Sequence, residues 1–229
     1  MDAHISVKKK EELFLDRLPD VTRLAFLYCV DKLNFLSSST WYLAGGTSLA
    51  LQVGHRQSVD LDFFIPKIGF DEVRLERELL YNKQWTTSFR QKGTVYGILL
   101  KAKASFIAYP FFKPSLNRIR CGNVNLLTPK DIAAMKIVAI SQRGRKRDFL
   151  DLYWYCQNQE PLYDVISRAI HQYPGQDDNL HHILKSLVYF ADAEEDPMPT
   201  IFFDASWKVI KEYFRREIPI ITKDFLGLK

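Results

Sequence analysis

Apolar side chains return at helical spacing from residue 8 to 36, with Leu13, Phe14, Leu18, Leu24, Leu27 and Tyr28 in phase. Pro19 is placed to open a second helix after a short turn. Residues 37–40 read as a loop into a short strand at 41–44. A helix carrying Leu49, Leu51 and Val53 starts at Gly45-Gly46 and stops at Gly54. The pattern then switches to a strand at 59–65, closed by Pro66, and to an amphipathic helix at 70–80. Strand-like runs follow at 85–91, 94–100 and 103–109, an aromatic loop at 109–114 and a last strand at 123–126.

Beyond Thr128 the period is helical throughout. Thr128-Pro129-Lys130-Asp131 has the order of an N-cap, a proline at the first helical position and an acid in the first turn. Helices are predicted at 129–143, 147–158, 161–172, 178–191 and 204–217, with 192–199 as a linker. The expected class is therefore α+β: a mixed sheet with flanking helices over residues 1–127, then a helical domain over 128–229.

With 229 residues, 47% of them hydrophobic, the chain is large enough for a substantial core. No run approaches the roughly 20 apolar residues of a membrane span, and residues 1–14 read as a charged helix rather than a leader. A cytoplasmic location with no membrane partner is the expectation. Cys29, Cys121 and Cys156 are too widely spaced for a disulfide framework or a zinc site. The formal charge of +5 is mild, but its distribution is uneven. Arg143, Arg145, Lys146 and Arg147 crowd around Gly144, and Lys101, Lys103, Lys113, Arg118 and Arg120 form a looser group.

The chemistry concentrates between Trp41 and Phe64. Gly45 and Gly46 permit close backbone approach to an anion, and Thr47 and Ser48 add hydroxyls at a helix start. Asp60 and Asp62, two apart in a strand-like segment, emerge on one face. Such a pair serves as a metal ligand set or merely caps a helix or meets solvent. Its apolar neighbours Val59, Leu61, Phe63 and Phe64, among which an unpaired charge is costly, favour the metal. His55, Arg56 and Ser58 lie between the two features, with Arg56 either a phosphate fork or a surface arginine. A second set is Lys136, Arg143, Arg147 and Asp151, which at about 100° per residue fall in one stripe, while Asp148 points away. That stripe is either a solvated basic face or a grip for a triphosphate.

The string LAGGTSLALQVGHRQSVDLDFF, then KASFIAYPFF, then LTPKDIAAMKIVAISQRGRKRDFLDLY, resembles the AbiEii/AbiGii toxin family of nucleotidyltransferases over roughly residues 40 to 155. The resemblance implies a nucleotidyltransferase-type sheet followed by a helical domain. It implies transfer of a nucleoside monophosphate from a nucleoside triphosphate to an acceptor, with Mg²⁺ or Mn²⁺ as cofactor. The acceptor would be RNA, with tRNA as one case, or protein, and the partner a cognate antitoxin. It assigns Gly46, Thr47 and Ser48 to the phosphate turn, Asp60 and Asp62 to the metal, and Lys136 to the motif lysine. Arg147, Asp148 and Asp151 match the family's Arg-Asp-x-x-Asp. Where many relatives carry a third carboxylate on a later strand, this chain has Ser105, which is no general base at neutral pH. Asp148 or Asp151 would then assist. Two rivals stand beside this reading: a catalytically degenerate nucleotide- or protein-binding module, and a glycosyltransferase using Asp-x-Asp.

Overall fold

Strand β3 (Leu61–Ile65) shows why the sheet forms where it does. Leu61, Phe63 and Ile65 are buried, while the alternate residues Asp62 and Phe64 are half-buried on the other face. The computed structural model describes residues 5–38, 40–81, 83–175 and 179–227. It divides into two compact units that meet in sequence between Pro129 and Lys130.

In the first unit, eight strands among the described residues form one mixed sheet. These are β1 (Ile5–Val7), β2 (Tyr42–Ala44), β3, β4 (Trp85–Gln91), β5 (Thr94–Leu99), β6 (Ala102–Ala108), β7 (Arg118–Cys121) and β8 (Val124–Leu126). Their order is β1-β7-β8-β2-β3-β6-β5-β4. β2 runs antiparallel to β3 and parallel to β8; β3 and β6 are parallel, so the chain must cross over between them. One face is covered by α1 (Asp20–Lys32) and α3 (Glu72–Leu80), whose Phe26, Cys29, Leu75 and Leu79 join Phe63, Phe106 and Trp85 in a single apolar core. Phe63 and Phe106 stack there with ring centroids 5.0 Å apart. Helix α2 (Gly45–Val53) follows β2 directly and ends on Gly54, whose φ of 68° is the left-handed stop that glycine supplies.

The second unit is built from α4 (Pro129–Arg143), α5 (Lys146–Asn158), α6 (Leu162–Gln172), α7 (Leu180–Ser186), α8 (Ala191–Glu194) and α9 (Trp207–Leu226). Phe149 is its hub, its ring centroid lying 5.1 Å from that of Phe190 and 5.5 Å from that of Phe214. Cys156 is not a reactive thiol: burial pushes its pKa up to about 12.

Several expectations need correction. The expected helix over 8–36 is two 3-10 turns (Lys10–Glu12 and Leu15–Arg17), then α1, then a third turn at Asn34–Leu36. Pro19 precedes α1 as its cap. The charged N-terminal helix gives way to β1, which pairs in parallel with β7; positions 1–4, like Ser39 of the expected loop, lie outside the described residues. Neither β1 nor β7 was predicted, because strands of three and four residues are too short to show a period. The expected helix at 178–191 is only α7, its position 178 lying outside the described residues, and α8 falls largely in the stretch 192–199 expected as a linker. Val59 is 48% exposed and precedes the strand rather than belonging to a buried run.

Candidate functional site

Helix α2 and the segment 54–60 that follows it define the carboxylate site. That segment has no regular structure through most of its length, yet it is pinned along it. Arg17 Nε donates to the Gly54 carbonyl (3.1 Å), the Ser58 amide to the Arg17 carbonyl (3.2 Å) and Thr22 Oγ1 to the Val59 carbonyl (2.8 Å). Thr47 Oγ1 donates to the Asp60 carbonyl and shares a hydrogen bond with Ser58 Oγ at 2.9 Å. The backbone of Asp60 is therefore fixed by the first turn of α2. Asp62 sits two residues on, inside β3, and both carboxylates are half-buried.

Two neighbours shape Asp62. In the register of β3 and β6 it stands beside Ser105, whose hydroxyl donates to Asp62 Oδ1 at 2.6 Å. The other oxygen faces the diglycine turn: a Cβ on Gly45 would lie 3.6 Å from Asp62 Oδ2. Gly45 has φ of 69°, which itself disfavours any side chain. Among the described residues, no group of three or more His, Cys, Asp or Glu is arranged to hold a metal ion. Two hard carboxylate oxygen donors at the positive end of a helix, with glycine backbone alongside, nonetheless fit a magnesium ion that takes its remaining ligands from water and phosphate.

The other residues predicted for this region serve different ends. Ser48 is fully buried and faces inward: its Oγ accepts from Gln52 Nε2 (3.2 Å), which also donates to the Leu127 carbonyl (2.9 Å). Its hydroxyl is thus spent tying α2 to the end of β8. Arg56 is 3% exposed and donates to the Gln57 carbonyl at 2.8 Å. Its guanidinium lies where a Cβ of residue 46 would be, 2.0 Å from Nη2, so Gly46 makes room for the arginine beside the start of α2. His55 and Ser58 are buried as well.

In the helical unit, Gly144 takes φ of 51° and ends α4, so the continuous stripe does not form. The restart at α5 turns Asp148 inward, contrary to the helical phase. Lys136 Nζ lies 2.6 Å from Asp148 Oδ1 and 2.6 Å from Asp151 Oδ2, and Arg143 Nε lies 3.0 Å from Asp148 Oδ2. Both carboxylates are fully buried and Lys136 is 4% exposed. Burial by itself would raise the pKa of Asp148, but the charges of Lys136 and Arg143 and the Lys136 hydrogen bond hold it below the ordinary aspartate range. Arg147 is exposed on the same helix. The residues that sequence reasoning missed are Thr22 and Arg17. The signal for Thr22 was a polar residue at a buried helical position, 1% exposed.

A mixed sheet bearing an Asp-x-Asp pair beside a glycine turn, followed by a helical unit, defines a nucleotidyltransferase-type protein. The model of the family described as nucleotidyl transferase AbiEii toxin, type IV TA system, matches residues 30–95 and 113–225, and the chain belongs to that family. It is 36% identical over 186 residues to aq_aa25, an uncharacterised protein of Aquifex aeolicus (strain VF5), covering 78% of this chain and 86% of the relative. Its fold is similar to that of a Helicobacter pylori protein described as a candidate nucleotidyltransferase. That match has a TM-score of 0.51 at 15% identity and covers 91% of this chain and 96% of the other. It is also similar to JHP933 of Helicobacter pylori, with a TM-score of 0.50 at 15% identity, covering 90% and 92%. Among the described residues no helix is long and apolar enough to cross a membrane.

Proposed function

We propose that the protein transfers a nucleoside monophosphate from a nucleoside triphosphate to an acceptor hydroxyl, RNA in the first instance, in a reaction dependent on Mg²⁺ or Mn²⁺. The observation that carries this is Asp62, held between Ser105 and the Gly45 turn, with Asp60 two residues before it and its backbone fixed by Thr47 of the same turn. Asp60 and Asp62 hold the metal, which when bound neutralises the triphosphate and aligns it for in-line attack. The first-turn amides of α2, at Gly45 to Ser48, are assigned to the outer phosphates. The acceptor oxygen forms a bond to the α-phosphorus as the bond to pyrophosphate breaks, and the acceptor proton passes to solvent, because Ser105 cannot take it. Lys136, Asp148 and Asp151 support the helical frame, and exposed Arg147, in the basic group around Gly144, is assigned to phosphates of the RNA acceptor. The family's description as a toxin of a toxin–antitoxin system supports a cognate antitoxin as partner, and the protein is assigned to the cytoplasm.

The test is incubation of the purified protein with each α-labelled triphosphate and total RNA or protein, with and without Mg²⁺. Metal-dependent label in the macromolecular fraction, lost in Asp60→Asn and Asp62→Asn, is expected; label that survives either substitution overturns the assignment. A second reading, a binding module that does not transfer, is favoured by Ser105 alone. Metal-dependent triphosphate binding with no transfer to any pool would establish it.

A further inference from the structure

The pairing of four strands places Asp62, Ser105, Tyr96 and Phe89 in one row across the sheet, on β3, β6, β5 and β4 in turn. Residues directly opposite in register share a face, so this row lies on the carboxylate side, away from Phe106 and Val95 of the core. Tyr96 is 41% exposed and Phe89 47% exposed, and their rings stack with centroids 6.0 Å apart at 24°. At about 4.8 Å per strand, Tyr96 is roughly 10 Å from Asp62.

Phe89 reaches this face through an irregularity. Trp85 opposes Leu99 and Thr87 opposes Gly97 on the core side, so strict alternation would send residue 89 to the core too. A bulge between Thr87 and Phe89 adds one residue on β4 and brings Phe89 opposite Tyr96 instead. An apolar ring has thus been turned out of the core face onto the face of the carboxylates. The strands that build this part of the sheet are cationic in sequence, with Glu76 and Glu72 of α3 meeting Arg90 and the Gly93 amide at its edge. Residues 79–129 contain eight Lys and Arg and no Asp or Glu. Among them Lys103 is exposed two residues before Ser105, and Lys92 is exposed at the turn joining β4 to β5.

We infer that the Phe89–Tyr96 pair, with Lys103 and Lys92, is a binding platform for an unpaired polynucleotide strand; this rests on the reading of an RNA acceptor given above. Flat exposed rings stack on bases that are not stacked on one another, and a cationic surround tracks their phosphates. A duplex presents no free base faces to such a pair. The exposed lysines beside the rings favour a polyanion over a protein of mixed charge.

The test is fluorescence anisotropy of labelled oligouridylate with the full chain, without metal or triphosphate. The wild-type protein binds the unpaired strand in preference to a duplex of equal length, with affinity falling as salt rises. The double variant Phe89→Leu/Tyr96→Leu keeps the strand apolar but removes both ring faces, and weakens binding about tenfold or more. Equal affinity in the leucine variant, equal affinity for duplex, or a leucine variant that instead changes oligomeric state in sedimentation overturns the platform. Should the leucine variant lose its native melting transition, Lys92→Gln/Lys103→Gln decides the matter by a shallower salt dependence. Label transfer to protein without oligouridylate binding overturns the platform alone. Oligouridylate binding without any transfer overturns the enzymatic reading alone.

Discussion

Ser105 donates its hydroxyl proton to Asp62 Oδ1 across 2.6 Å, between register partners on the parallel strands β3 and β6. The bond occupies one carboxylate oxygen and leaves Oδ2 turned toward Gly45. Ser105 is therefore a group that orients Asp62.

Ser105→Ala should therefore release the Asp62 carboxylate and lower Mn²⁺ affinity by about 10- to 100-fold, the usual effect of losing a hydrogen bond to a metal ligand. Calorimetric titration with Mn²⁺ measures it. An unchanged affinity would mean that packing alone orients Asp62.

Gly46→Ala should displace Arg56 from the α2 turn, since the new methyl would meet its guanidinium at 2.0 Å. The expected cost of this overpacking is about 1–3 kcal/mol in urea unfolding. Restoring stability with Gly46→Ala/Arg56→Ala would show the clash to be the cause; a single variant as stable as wild type would show that Arg56 swings aside freely.

Lys136→Met should destabilise the helical unit by about 3–5 kcal/mol, because it leaves the buried carboxylates of Asp148 and Asp151 without their shared ammonium. Chemical denaturation is the measurement. A variant with wild-type stability but weakened triphosphate binding would instead return Lys136 to the phosphate role its motif implies.

Acid should act through Asp148. Its folded pKa is lowered, so its contribution to stability is fully present above the ordinary aspartate pKa and is lost as pH falls through the lowered value. Asp148→Asn should be less stable than wild type at neutral pH, and the gap should close in acid. A gap independent of pH would place the effect in packing instead of charge.

Much of this fold was legible because it is written in short periods. The alternation Leu61, Asp62, Phe63 announced β3, and Gly45 and Gly54 bracketed α2. The boundary of α4 at Pro129 and Arg143 was legible for the same reason: proline opens it and glycine closes it. β1 and β7 were not, since strands this short exist only through their partners, β1 on β7 and β7 between β1 and β8. Asp148 was misplaced because a helical phase carried through Gly144 assumes a backbone that Gly144 breaks.

By itself the sequence determined the strand that carries Asp62, the glycine turn beside it, the division into a mixed sheet and a helical unit, and the family. Each of these is set by neighbours a few residues apart, through side-chain alternation, helical period and the backbone freedom of glycine. The tertiary structure alone decided what those residues touch. It put Ser105 on Asp62, Arg56 under Gly46, Lys136 between two carboxylates, and Phe89 opposite Tyr96. Three of these pairings join different strands or helices, and the fourth folds a loop back onto a helix start. Their energy comes from burial, charge and register rather than from spacing along the chain.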